Sequence, residues 1–138
     1  NASDVLLMDL SGERLTTDGQ HVSAAERRVH AKIIRNCDRA GAVVHASPPY
    51  ATTLANLGEP ILASHYLVAF AGPKVPVAEY VTPGSEELAD GALDALGESH
   101  AACLLKKNGM VAVGATLETA FVGATSLQSI LRAFPMRR

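Results

Sequence analysis

The chain has 138 residues, 48% hydrophobic and 19% charged, with a formal net charge of −2. That is enough for one ordinary soluble core, and it supplies no electrostatic footprint for nucleic acid. Two cysteines, Cys37 and Cys103, lack any CxxC spacing, so neither a disulfide framework nor a zinc knuckle is indicated and a reducing cytoplasm suits them. No apolar run reaches the roughly 18 to 20 residues of a membrane span. The opening Asn-Ala-Ser-Asp is not a signal segment, and its start without Met on a strand-like run marks the chain as a possible fragment.

In chain order, "DVLLMDLSGERL" reads as a strand and a glycine-containing turn, and "TTDGQH" as a polar connection. Ser23-Ala24-Ala25-Glu26 fits a capping box, and Val29, Ile33 and Cys37 recur every four residues. The spacing predicts a helix from about Ala24 to Ala40, with Gly41 beyond its end. "AVVH" is a short buried strand ending at His45; Pro48-Pro49 then blocks continuation, and "YATTLANLG" is a short helix stopped by Gly58. "PILASHYLVAFAG" fits strand or helix, and "VPVAEYV" fits a strand. Pro83-Gly84-Ser85 leads into a helix with Leu88, Ala92, Leu93 and Leu96 on one face and Gly97 after it. "AACLL", "KKNG" and "MVAVG" form a hairpin in which Asn108-Gly109 is the favoured type I′ pair. A last helix runs from about Thr116 to Phe134, stops at Pro135, and carries Leu117, Ala120, Phe121, Ala124, Leu127 and Leu131 on its buried side.

Four positions have the chemistry of a site. On a helical wheel Glu26 and His30 fall within or beside the apolar stripe, away from Arg28, Lys32, Arg35 and Arg39. Glu26 is then either the N3 member of the cap or a general base at a pocket mouth. His45, at a strand end before a double proline, stands where a site residue is expected, although a lone histidine there serves equally as structure. Tyr66, beside His65, offers a phenolic acid or simple packing. His100, Cys37 and Cys103 have no partner pattern and are read as structural.

The blocks "SAAERRVHAKIIRNCDRAGAVVHASPPYATTLA", "EPILASHYLVAFAG", "VPVAEYVTPGSEELADGALDAL" and "CLLKKNGMVAVGATLETAF" occur in this order over nearly the whole chain. Together they resemble the class II aldolase/adducin family, most closely its L-fuculose-phosphate aldolase branch. The resemblance implies an α/β fold, a three-layer αβα domain with a largely antiparallel central sheet. Residues 1–138 would be a single such domain, the C-terminal portion of the family domain, lacking a phosphate-contacting N-terminal segment. It also implies a zinc centre built from a His-x-His pair and a third histidine. Those positions are His45, Ser47 and Asn108 here, so two of three imidazoles are replaced. Hydroxyl and amide oxygens are poor ligands for Zn²⁺, so no cofactor is expected; zinc would be weak, with His45 as the residual candidate.

By the same resemblance Glu26 is the catalytic carboxylate and Tyr66 the proton donor, supplied near a neighbouring subunit's site. Ala24 and Ala25 stand where sugar-phosphate members have serines, and Pro83 replaces an aromatic residue. Asn108 also has a local explanation, because Asn-Gly between apolar strands is good turn chemistry.

Three readings follow. The first is an enzyme with altered, metal-independent acid/base (lyase-like) chemistry on a small oxygenated substrate, using Glu26, His45 and Tyr66, with Ser47 and Asn108 contacting the substrate. The second is a non-catalytic, adducin-like assembly domain; the third is a zinc-dependent sugar-phosphate aldolase with a weakened site. All three expect a homo-oligomer, a tetramer, partly because "YLVAFAG" is costly to leave in water.

Overall fold

The computed structural model describes residues 5–15, 26–62 and 66–133, of 66 and 67 the backbone alone. Five helices and six strands follow in order: α1 (Arg27–Asn36), β1 (Ala42–Ala46), α2 (Pro49–Leu57), β2 (Ile61–Leu62), α3 (Tyr66–Ala69), β3 (Lys74–Val75), β4 (Val77–Ala78), α4 (Glu86–Leu96), β5 (Ala102–Leu105), β6 (Gly109–Gly114) and α5 (Leu117–Ala133). The central sheet has the order β1-β6-β5-β4, and β2 pairs with β3 separately. β1 and β5 flank β6 antiparallel, while β4 joins β5 in parallel. Helices α1 and α4 cover one face, and α2, α3 and α5 the other. This is the three-layer αβα domain with a largely antiparallel sheet that the resemblance implies.

The alternation of strand side chains separates two cores. Ala102, Leu104, Met110 and Ala112 pack with Leu54, Val68 and Leu127 on one side. On the other, Cys103, Leu105, Val111 and Val113 pack with Val29, Ile33, Leu88 and Leu96. Apolar residues on both faces explain why β5 and β6 read as unbroken hydrophobic runs rather than alternating ones. Arg39 locks the α1/α4 layer from the rim: its Nη2 donates to the carbonyls of Gly97 at 2.8 Å and His100 at 2.6 Å, beyond the end of α4. No helix among the described residues is long and apolar enough to cross a membrane.

Several local expectations differ from what is observed. "DVLLMDLSGERL" is not a regular strand; its described part is a tight turn closed by one bridge between Met8 and Arg14, with Leu7 and Leu15 exposed. Glu26 stands at the N-cap of α1, without a side-chain capping bond, rather than at N3; Ser23 to Ala25 and "TTDGQH" lie outside the described residues. The helix ends at Asn36 rather than Ala40. Asn36 donates its side-chain amide back to Lys32 O at 2.8 Å, and Gly41 must pass against the Ala115 carbonyl, where a Cβ would collide.

"VPVAEYV" splits into β3 and β4, in different sheets, because Pro76 between them has no N–H for a continuous ladder. The hairpin is not type I′ at Asn108-Gly109: Asn108 N bonds to Leu105 O at 2.8 Å, and Lys107, φ 63°, takes the left-handed position. On α5 the buried stripe is Ala120, Gly123, Ala124, Leu127 and Ile130; Leu117 is 66% and Phe121 58% exposed. Phe70 covers Gly123, whose missing Cβ makes room for its ring and so sets the helix rotation. The predicted end at Phe134-Pro135 lies outside the described residues.

"AVVH" forms a strand as expected, but all of β1 is half-buried rather than buried, while two helix-end readings hold. Gly58 takes φ 73° as the C-cap of α2, and Ser85 accepts from Leu88 N at 3.1 Å as the N-cap of α4.

Candidate active site

β1 sends Val43 and His45 toward the α1/α4 layer while Val44 enters the opposite core. His45 is half-buried and pairs in register with Val111. Its Nε2 lies 2.6 Å from the backbone carbonyl oxygen of Asn108, at the β5–β6 turn. A carbonyl only accepts, so Nε2 carries the proton and Nδ1 of the neutral ring keeps its lone pair. Asn108 is 9% exposed and donates its side-chain amide to Val81 O at 3.4 Å. One residue thereby ties together the end of β1, the hairpin turn and the loop after β4.

His30 lies one helical turn after Glu26 on α1 and meets His45 edge to face, with ring centroids 6.4 Å apart and an interplanar angle of 64°. Burial, then the neighbouring His45, lowers the His30 pKa from its ordinary 6.5, and Glu26 opposes that shift. The folded chain therefore disfavours the His30 imidazolium relative to the unfolded chain. Its contribution to stability is full above pH 6.5 and is lost as pH falls from 6.5 through the lower folded value. Denaturation curves between about pH 7.5 and 5 should trace this fall, and His30→Gln should flatten it. A profile unchanged by that substitution would contradict burial of His30 beside His45.

Glu26, His30, His45 and Asn108 thus converge at one end of the sheet, on its α1/α4 face. Ser47 is exposed just past β1 and lies against Gly109, where an added Cβ would come within 2.7 Å of its Oγ. Tyr66 opens α3, which packs with α5 and β3 in the layer on the opposite face; His65 lies outside the described residues. Pro83 is exposed in the turn before Ser85. A separate cleft of about 320 Å³ beyond the ends of α1 and α4 is lined by Cys37, Asp38, Arg39 and Glu98 and by none of these residues. Burial pushes the Cys103 thiol up to about 12, which leaves it inert.

The sheet order and the helix layers define a three-layer αβα domain with a largely antiparallel sheet. A family model described as the class II aldolase and adducin N-terminal domain matches residues 1–134, and the chain belongs to that family. It is 38% identical over 133 residues to a 5-methylthioribulose-1-phosphate/5-deoxyribulose-1-phosphate aldolase of Rhodospirillum rubrum, covering 96% of this chain and 58% of the relative. It is 35% identical to a 5-deoxy-D-ribulose 1-phosphate aldolase of Bacillus thuringiensis serovar kurstaki, covering 91% of this chain and 57% of that protein. A solved L-fuculose 1-phosphate aldolase superposes with a TM-score of 0.87 at 36% identity, over 96% of this chain and 61% of that one. The chain thus spans about three fifths of the length of the relatives it matches.

Class II aldolases are typically zinc-dependent, and the donors here do not fit a three-imidazole zinc centre. Of the three positions that the resemblance assigns to the metal, one is an imidazole whose Nε2 is engaged by a carbonyl, one is the Ser47 hydroxyl, and one is the Asn108 amide, whose nitrogen is bonded to Val81 O. No group of three or more His, Cys, Asp or Glu side chains suited to a metal ion occurs among the described residues.

Proposed function

We propose that this chain performs aldolase-type, lyase-like acid/base chemistry on a small oxygenated substrate without a tightly bound metal. His45 accepts the proton of the hydroxyl on the carbon β to the substrate carbonyl and passes it to Glu26. The bond between the α and β carbons then breaks, the β carbon leaves as an aldehyde, and the electron pair of that bond forms an enolate that Tyr66 of a neighbouring copy protonates. Ser47 and Asn108 contact the substrate's oxygens. The observation that carries this reading is the His45 Nε2–Asn108 O bond, which leaves the Nδ1 lone pair free on a ring that meets His30. The named activities of the relatives, all aldolases of sugar phosphates, support the reaction class.

The assembly we propose is a homo-oligomer, with a tetramer as the specific expectation. It is supported by the solvent-facing Leu117, Phe121 and Val122 of α5.

The test is cleavage of 5-methylthioribulose 1-phosphate, 5-deoxyribulose 1-phosphate and L-fuculose 1-phosphate by chelator-treated chain. Turnover that survives chelation supports the proposal, and turnover that returns only with zinc refutes it. An assembled chain inactive on all three substrates would favour the adducin-like reading. The freshly purified, tag-free chain should carry less than one zinc per subunit, and Ser47→His with Asn108→His should raise its metal affinity. Stoichiometric zinc in the unsubstituted chain would be the contrary result.

A further inference from the structure

We propose that Asn108 is a positioning residue that replaces the metal's organising role, closing the site with a hydrogen-bonded latch and fixing His45 as the Nε2–H tautomer. The inference deepens the reading above and shares its site, but it rests on geometry alone.

A three-imidazole metal centre performs two tasks: it crosslinks separate chain segments, and it fixes which nitrogen of each ring bears the proton. In this chain both tasks fall to one residue. The Asn108 carbonyl accepts from His45 Nε2 at 2.6 Å, joining the hairpin turn to the end of β1. The Asn108 side chain donates to Val81 O at 3.4 Å, joining the same turn to the loop after β4. Its backbone N–H closes the turn on Leu105 O at 2.8 Å. Gly109 follows with φ 85° and no Cβ, which lets the turn sit directly on the Ala46 carbonyl.

Asn108 itself is 9% exposed, and its bonds to the half-buried His45 and Val81 are part-buried. A metal could reach His45 Nε2 only by breaking the shortest of them. Asparagine suits the position because its amide reaches Val81 while its main chain holds both other contacts.

Two substitutions separate the latch from the base. A glutamine amide nitrogen approximates the position of Nε2, so His45→Gln keeps a donor to the Asn108 carbonyl and removes the basic Nδ1. An asparagine at 45 is too short for that bond. The melting temperature of His45→Gln should stay close to that of the unsubstituted chain, whereas His45→Asn should fall by about 4 °C further.

Nitrogen-15 imidazole spectra of the unsubstituted chain provide the second readout and do not depend on any variant folding. They should give the Nε2–H tautomer for His45, unchanged after dialysis against chelator and after one equivalent of Zn²⁺. An Nδ1–H tautomer, a His45 resonance displaced by one equivalent of Zn²⁺, or equal melting temperatures for the two variants would overturn the latch. Loss of activity in both variants with the tautomer as expected leaves the latch standing, whichever way the aldolase assays fall.

Discussion

Glu26→Gln should reduce turnover of a cleaved sugar phosphate by about 10²- to 10⁴-fold, the usual contribution of a positioned general base, with little change in melting temperature. The asymmetry follows from its surroundings. Glu26 is half-buried at the N-cap of α1, its side chain makes no capping bond, and the helix is held instead by Val29 and Ile33, which are fully buried. The amide keeps the size of the carboxylate and removes its basicity and its charge. The assay is steady-state cleavage at saturating substrate beside a thermal melt; retained turnover with an intact melt would take Glu26 out of the chemistry.

Gly109→Ala should be the most damaging single change to the fold among those considered. Its φ of 85° lies in the left-handed region, which costs a residue bearing a Cβ about 1–2 kcal/mol. The added carbon would also collide with the Ala46 carbonyl and lie 2.7 Å from Ser47 Oγ. Together these give about 3 kcal/mol or more of destabilisation, a fall in melting temperature on the order of 10 °C. Because the turn must lift off β1 to admit the methyl, His45 should lose its partner as well, and activity should fall with stability. An unfolding free energy within about 1 kcal/mol of the unsubstituted chain would mean that the hairpin is not seated on β1 in this way.

The parts of the fold legible in the sequence are those set by strong local rules. Gly58 and Ser85 marked helix ends, and the apolar runs around Lys106-Lys107 marked the central hairpin, because capping and β-burial act over a few residues. Residues governed by distant contacts were misread. Leu117 and Phe121 fit a helical stripe on α5, but Phe70 against Gly123 rotates that stripe toward Ala120 and Ala124. Asn108-Gly109 carries the signature of a two-residue turn, yet seating Gly109 against Ala46 moves the turn back to Lys106-Lys107.

The site was legible to a similar degree. His45 and Glu26 could be named from their placement, and His30 from its position beside the apolar stripe of the helical wheel. The carbonyls of Asn108 and Val81 could not, because backbone oxygens carry no residue signature and become partners only through the fold.

Strands β5 and β6, buried on both faces, also govern how the chain behaves before it folds. Residues 102–105 and 109–114 are uncharged, proline-free and apolar, features shared by segments from which intermolecular β-pairing and aggregation begin. Lys106 and Lys107 interrupt them with two positive charges. In the native turn Lys107 lies over the Tyr80 ring and Lys106 reaches Glu79; in the unfolded chain the same pair acts as a gatekeeper, preventing ten sheet-forming residues from becoming one continuous sticky segment.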